Sequence, residues 1–212
     1  MAIIIPAILE KTKEAFNERL NLVCKIPGLS KIQVDFGDGE FIENKLLEAG
    51  EMDTLNPAFE WEAHLMVKAP NDFLDYQICG FKTLIVHYEA FSSAKELKES
   101  LASIKSMGFK TGVAINPDTE VNVLKDITAD QYLVMSVVPG KQGQAFIEST
   151  PDKIAQLRAL MPHAIIEVDG GVGESNIKSL KDAGADLICV GSALVKADNL
   201  NVAYEKLQKE IN

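Results

Sequence analysis

The sequence has little positive charge and no long hydrophobic run. Lysine and arginine number 21 against 31 aspartate and glutamate residues, giving a net charge of -10, and no basic cluster stands out. A polyanion such as nucleic acid is therefore not an expected partner, and any anion must be bound by a local arrangement of groups. No segment reaches the roughly 18 apolar residues that a membrane span requires, so we expect no membrane association.

Cysteine is also scarce. Cys24, Cys79 and Cys189 are far apart and odd in number, and they show neither the paired spacing of a zinc site nor the disulfide framework of a small secreted domain. Residues 1 to 6 lack the basic segment and the long apolar stretch of a secretory signal. These features predict a reducing compartment, and the cytoplasm is the expected location.

Eight short runs of β-branched and other apolar residues recur along the chain and predict strands. They are Ile3 to Ile5, Lys31 to Asp35, Ala63 to Val67, Thr83 to His87, Gly112 to Ile115, Tyr132 to Val137, Ile165 to Asp169 and Leu187 to Gly191. Because most are apolar almost throughout, they suit a parallel sheet that is buried on both faces.

Segments with helical spacing lie between most of these runs. The spacing is clearest in Leu97, Leu101 and Ile104, and in Leu200, Tyr204, Leu207 and Ile211. Boundary signals agree, since Ser93 with Glu96 has capping-box spacing, Thr150 before Pro151 fits an N-cap, and Gly184 suits a helix C-terminus. No linker interrupts the series, so residues 1 to 212 predict one α/β domain, a (β/α)8 TIM barrel.

Polar residues stand where the predicted strands end, and in such a barrel these ends gather at one face. Asp35 and Asp169 are the last residues of the second and seventh predicted strands, where two carboxylates can serve as an acid/base pair on two faces of a small substrate. Either aspartate alone suits a turn or an N-cap equally well. His64 is a candidate third ligand for a cation shared with the aspartates, or else a packed, hydrogen-bonded histidine. His87 and Ser136 are further candidates by position.

Glycines follow the last strands. Gly170 with Gly171 and Gly191 with Ser192 stand after the seventh and eighth strands, where these barrels commonly bind phosphate through backbone N–H groups. Each pair alone also fits an ordinary turn. The segment from residue 139 to 144 is a candidate lid whose Gly140 and Gly143 would close on the phosphate. The alternative is a plain flexible loop.

Taken in order from Pro6 to Ser192, these motifs resemble the ribulose-phosphate 3-epimerase family. The resemblance is carried by Pro6 to Leu9, Val34 to Phe41 with Asn44, His64 to Val67, His87 to Glu89, Ala114 to Pro117, Met135 to Gly140, Glu167 to Val172, and Ala183 to Asp186 with Val190 to Ala193. It implies a TIM barrel that interconverts ribulose 5-phosphate and xylulose 5-phosphate, or a related ketose phosphate, through a metal-stabilised enediolate. It also implies a divalent metal ion, a homo-oligomer and no organic cofactor.

The resemblance also implies roles for individual residues. Asp35 and Asp169 would be the acid/base pair and, with His64, the metal ligands. Met66 and Met135 would line the enediolate site. The phosphate would be held by Gly143, Gly170, Gly171, Gly191 and Ser192.

Several site positions depart from the family pattern. Gln33 replaces the first metal histidine, and because an amide oxygen is a harder ligand than imidazole, zinc affinity is expected to fall relative to magnesium or manganese, with iron(II) a further candidate. Ala7 replaces a serine and Gly37 a methionine that would cap the enediolate site. In the lid, Val138 replaces an asparagine, and Lys141 with Gln142 replaces a Phe-Gly pair.

Three functions remain open at this point. An epimerase is the first, since both aspartates, His64 and the glycine turns occur together. The second is a non-catalytic phosphosugar-binding barrel that has lost part of the metal site, as the changes at Gln33, Ala7 and Gly37 suggest. The third is decarboxylation of a sugar-phosphate acid, against which stands the lack of an Asp-Lys-Asp pattern around Asp35.

Overall fold

The computed structural model describes residues 2–70, 73–141 and 143–212. Its eight strands form a closed parallel barrel in chain order. The strands are β1 (Ile3–Ile8), β2 (Lys31–Gly37), β3 (Glu60–Met66), β4 (Thr83–His87), β5 (Lys110–Ile115), β6 (Gln131–Met135), β7 (Ile165–Asp169) and β8 (Leu187–Val190). The predicted (β/α)8 TIM barrel is confirmed.

Strand boundaries agree with the sequence at β4 and β7 and differ most at β3. That strand begins at Glu60, three residues before the predicted start at Ala63. The apolar pattern that predicts a strand is interrupted here by the polar residues Glu60 and Glu62. Glu62 nevertheless points into the barrel and is fully buried there. A buried glutamate is rare unless paired, so sequence patterning reads it as a loop residue.

Within the described residues, seven α-helices surround the barrel. They are α1 (Lys13–Val23), α2 (Leu74–Cys79), α3 (Ala94–Ser106), α4 (Thr150–Leu160), α5 (Ile177–Ala183), α6 (Ser192–Val195) and α7 (Leu200–Ile211). The alternation of strand and helix has two exceptions among the described residues. The connections before β3 and before β6 contain 3-10 turns at Ala49–Glu51 and Val121–Leu124. None of the described helices is long and apolar enough to cross a membrane.

The helix boundaries follow capping chemistry. Ser93 Oγ accepts a hydrogen bond from Glu96 N at 3.2 Å, and Gly184 ends α5 with φ 111°. The prediction for α4 is off by one residue, because Ser149 is the N-cap and Thr150 is already helical. Thr150 Oγ1 donates to Ile147 O at 2.7 Å.

The barrel interior contains a polar layer toward the N-terminal ends of the strands. We call it the lower layer: Lys31, Glu62, Gln131 and Glu167, all buried. Lys31 Nζ lies 2.6 Å from Glu62 Oε2, and Gln131 Nε2 donates to both Glu62 Oε2 and Glu167 Oε2. Burial alone would lower the pKa of Lys31, but the charges of Glu62 and Glu167 raise it. A permanent cation thus compensates buried carboxylates below the barrel mouth.

Candidate active site

A cavity of about 50 Å³ opens at the C-terminal ends of the strands. The predicted site residues that line it are Asp35, Met66, Met135, Gly140, Gly143, Asp169, Gly170, Gly171, Gly191 and Ser192. Gln33 and His64 are fully buried beside the two aspartates and are not among its lining residues. Carboxylates, methionines and glycine turns from distant parts of the chain therefore meet at one cavity.

The two carboxylates approach each other closely. Gln33 Nε2 donates to Asp35 Oδ1 at 2.9 Å and to Asp169 Oδ2 at 3.1 Å. His64 Nδ1 lies 2.9 Å from Asp35 Oδ1 and 3.4 Å from Asp169 Oδ2. We call these four side chains the upper layer. Although Asp35 lies near the end of β2 and Asp169 ends β7, on nearly opposite sides of the barrel, an amide and an imidazole join them.

The charges of the upper layer shift its pKa values strongly. Burial and the neighbouring Asp169 raise the pKa of Asp35 to about 6, against the opposing effect of hydrogen bonds from His64 and Gln33. Burial would lower the pKa of His64, but its contacts with Asp169 and Asp35 raise it to about 10. His64 is therefore a cation at neutral pH in this arrangement, and it partly neutralises the two carboxylates.

His87 fixes the orientation of the His64 ring. The Nε2 atoms of the two histidines are 2.9 Å apart, so one must donate and the other accept. Burial and the charge of His64 lower the pKa of His87 to about 4, against the opposing effect of Glu89, so His64 Nε2–H is the donor. This contact leaves His64 Nδ1 facing the carboxylates. On its other side, His87 Nδ1 lies 3.4 Å from Glu89 Oε2.

Three side chains of the upper layer suit a divalent cation. Ligand atoms of Asp35, His64 and Asp169 lie within 4.8 Å of one another, and two carboxylates with one imidazole suit zinc, manganese or iron. Gln33, predicted as a fourth ligand, presents its Nε2 to the carboxylates while its Oε1 lies 3.2 Å from Cys189 Sγ. In this orientation Gln33 is a hydrogen-bond donor and cannot coordinate a cation.

The glycine turns need their lack of a side chain. Gly170 has φ 115°, and a Cβ there would lie 2.4 Å from Val137 Cγ2. Gly171 has φ 61°, and a Cβ there would lie 3.0 Å from Phe146 Cα. Ser136, a candidate by position, instead donates from Oγ to Asp169 O at 2.9 Å and supports the end of β7.

The predicted lid is fastened to the loop between β2 and β3. Asn44 Nδ2 donates to Gly140 O at 2.8 Å, and Lys141 Nζ lies 2.7 Å from Glu43 Oε2. Lys141 therefore has an acidic partner on the protein surface. Gln142, singled out as a departure in this segment, lies outside the described residues.

Comparison with known proteins agrees with this geometry. Residues 3–195 match the model of the family described as "Ribulose-phosphate 3 epimerase family". The chain belongs to the ribulose-phosphate 3-epimerase family.

Curated relatives support the same assignment, and a solved structure matches the fold. The ribulose-phosphate 3-epimerase of Chlamydia pneumoniae is 34% identical over 184 residues, covering 82% of this chain and 79% of the relative. The chloroplastic ribulose-5-phosphate-3-epimerase of Arabidopsis thaliana is 34% identical over 215 residues, with coverages of 97% and 76%. The 3-hexulose-6-phosphate synthase structure from Salmonella typhimurium has a TM-score of 0.70 at 18% identity, with coverages of 98% and 97%, and shows the fold alone.

One departure from the epimerase family pattern has a clear structural cause. A Cβ at Gly37 would lie 2.3 Å from Ile42 Cδ1, so Ile42 from the following loop occupies the space of a side chain at position 37. Ile42 is buried and packs with Leu46 and Met66. Ile42, a loop residue that no sequence pattern singled out, thus fills the space beside Gly37, although it is not among the residues that line the cavity.

Proposed function

We propose that this protein is a ribulose-phosphate 3-epimerase that interconverts ribulose 5-phosphate and xylulose 5-phosphate. The observation that carries the proposal is that Asp35 and Asp169 share one cavity with the glycine turns at Gly171 and Gly191. Membership of the family supports the same reaction. Inversion at carbon 3 requires a proton to leave one face of the substrate and another to arrive at the opposite face.

Asp35 and Asp169 supply the base and the acid. A base works best when its pKa lies near the working pH, and burial next to Asp169 raises the pKa of Asp35 to about 6. The two aspartates come from the ends of β2 and β7, so they can approach a small substrate from two sides. Each exchanges its role with the other when the reaction runs in reverse.

The enediolate that forms after proton removal carries negative charge. Without a bound cation, the pKa of His64 is raised to about 10, so the ring places a positive charge beside both carboxylates; as a ligand it would give up this proton. Asp35, His64 and Asp169 would hold a divalent cation, which when bound stabilises the enediolate charge. Met66 and Met135 line the same cavity and give it apolar walls.

Backbone amides are the proposed phosphate ligands. The residues concerned are Gly140, Gly143, Gly170, Gly171, Gly191 and Ser192, all of which line the cavity. On a protein with net charge -10 a dianion gains nothing from the overall field. Fixed N–H groups close to the phosphate must therefore provide the binding.

The proposed entry of the substrate involves movement of the lid. A cavity of about 50 Å³ has room for only a few waters, and a pentose phosphate is larger. The contacts Asn44 to Gly140 and Lys141 to Glu43 join the two loops over the cavity. We propose that both contacts open together to admit the substrate.

A coupled assay for xylulose 5-phosphate formation tests the proposal. Protein stripped of metal by a chelator is assayed alone and with zinc, manganese, iron(II) or magnesium added back. Asp35→Asn and Asp169→Asn should each abolish turnover and leave inorganic phosphate binding largely intact, because they remove proton transfer and not the anion site. Asp152→Asn, an exposed site on α4, is the matched control and should behave as wild type.

The binding outcomes separate the alternatives. Loss of phosphate binding in Asp35→Asn or Asp169→Asn would contradict the assigned roles. Tight binding of ribulose 5-phosphate without turnover under any metal would instead establish the non-catalytic phosphosugar-binding barrel.

A further inference from the structure

The amide of Gln33 is held on both of its ends. Its Nε2 donates to Asp35 Oδ1 at 2.9 Å and Asp169 Oδ2 at 3.1 Å, and its Oε1 lies 3.2 Å from Cys189 Sγ. Gln33 is fully buried and Cys189 almost so, so water does not replace these partners. The two amide hydrogens of Gln33 are thus donated to two different carboxylates.

Electrostatics fix this orientation. Turning the amide by 180° would place Oε1 at hydrogen-bond distance from two carboxylate oxygens, which are acceptors only when ionised. A divalent cation between Asp35, His64 and Asp169 reverses the preferred orientation of the amide. The Oε1 atom has a lone pair to offer a cation, whereas Nε2 has none. The orientation of Gln33 and the occupancy of the cation site are therefore linked.

We propose that Gln33 is a cation-linked amide switch whose side chain turns over when a divalent cation binds. In one orientation Nε2 binds the carboxylate pair; in the other Oε1 coordinates the cation and Nε2 points to Cys189. The inference rests on the proposed metal site and adds a role for Gln33 and Cys189 to it.

The residues around Gln33 permit rotation of its side-chain amide. The torsion that moves is the terminal one of the glutamine side chain, which is soft compared with the other side-chain torsions. A thiol both donates and accepts hydrogen bonds weakly, so Cys189 can partner either end of the amide. Its hydrogen has a second acceptor in Glu167 Oε1, 2.9 Å from Sγ. The backbone and the imidazole rings stay in place.

The switch makes the cation compete with the protein's own amide. Binding breaks two hydrogen bonds from Gln33 to ionised carboxylates, which belong to the stronger class. The cation gains a neutral oxygen ligand in return. Oxygen suits magnesium and manganese better than it suits zinc, so Gln33 both weakens cation binding and shifts its selectivity toward harder ions.

Nuclear magnetic resonance of the side-chain amide gives the direct test. The Gln33 NH2 signals are assigned by their absence from Gln33→Met, and then followed in chelator-treated protein as diamagnetic zinc or magnesium is added. His64 ring nitrogens report cation binding at the site independently. The switch predicts that both amide protons, hydrogen-bonded to carboxylates at first, shift upfield as the His64 signals change. Amide signals that stay fixed while His64 reports binding would overturn it.

Cation affinity provides a second readout. Gln33→Glu offers an oxygen in either orientation and needs no turn, so calorimetry should show binding at least tenfold tighter than wild type. Without cation the variant should melt lower than wild type, since it places a third carboxylate against Asp35 and Asp169. Gln156→Glu adds the same charge at an exposed position of α4 and should change neither value.

Unchanged affinity and melting temperature in Gln33→Glu would show that this side chain does not face the cation. None of these measurements uses turnover. A protein in which the amide turns but no epimerisation occurs would contradict the proposed function alone.

Discussion

Truncation of Lys31 in the lower layer should cost a large share of the protein's stability. Lys31 Nζ lies 2.6 Å from Glu62 Oε2, and the Lys31 and Glu62 side chains are 11% and 0% exposed. At that separation Coulomb attraction is about 6 kcal/mol with an effective dielectric constant of 20. Desolvation of both charges offsets much of this in the intact pair.

Lys31→Met leaves the Glu62 carboxylate buried beside Glu167 without its cation. Removing one partner of a buried ion pair typically costs about 3–5 kcal/mol, a large share of the 5–15 kcal/mol by which such proteins are stable. Urea unfolding at pH 7 measures the loss. Lys110→Met is the matched control, because Lys110 is exposed and its 3.1 Å pair with Glu60 should contribute about 0–1 kcal/mol.

A double variant separates charge from packing. Lys31→Met with Glu62→Gln removes both charges and keeps hydrogen-bonding capacity at position 62, so it should recover most of the lost stability. A loss below about 1 kcal/mol in the single variant, or a double variant no more stable than the single one, would refute the role of the buried pair.

Three further predictions concern the upper layer. His64, with its pKa raised to about 10, contributes stability that is fully present below pH 6.5 and lost as pH rises through 10. In chelator-treated protein the free energy of unfolding should therefore fall by about 3–5 kcal/mol from pH 7 to 10, and an equal fall in His64→Gln would contradict this. Gln33→His should tighten zinc binding by restoring an imidazole ligand, as a calorimetric titration would show; unchanged affinity would mean that position 33 does not face the metal. His87→Phe should weaken cation binding by about 10- to 100-fold, because the His64 Nε2–H loses the acceptor that orients the ring; wild-type affinity in this variant would show that His87 does not position His64.

Much of the site could be predicted because it lies at strand ends. Asp35, Asp169 and the glycines after β7 and β8 each follow an apolar run, and barrel geometry brings such positions to one face. Local pattern and a known architecture together were sufficient for these residues.

The orientation of Gln33 could not be predicted in this way. It depends on Asp169 and Cys189, which are 136 and 156 positions away along the chain. A glutamine offers either a donor or an acceptor, and only the three-dimensional neighbours decide which one faces the cluster. Ile42 is a similar case, since its place beside Gly37 results from the path of a loop without periodicity.

The lower layer also restricts how the barrel can close. Lys31, Glu62, Gln131 and Glu167 belong to β2, β3, β6 and β7, and their bonds form only when all four strands are in the observed register. A shift of one residue in any of these strands would turn its polar side chain outward and leave the others buried without partners. An apolar interior would tolerate such shifts more readily. The ionic interior therefore selects a single strand register during folding, independently of any part in catalysis.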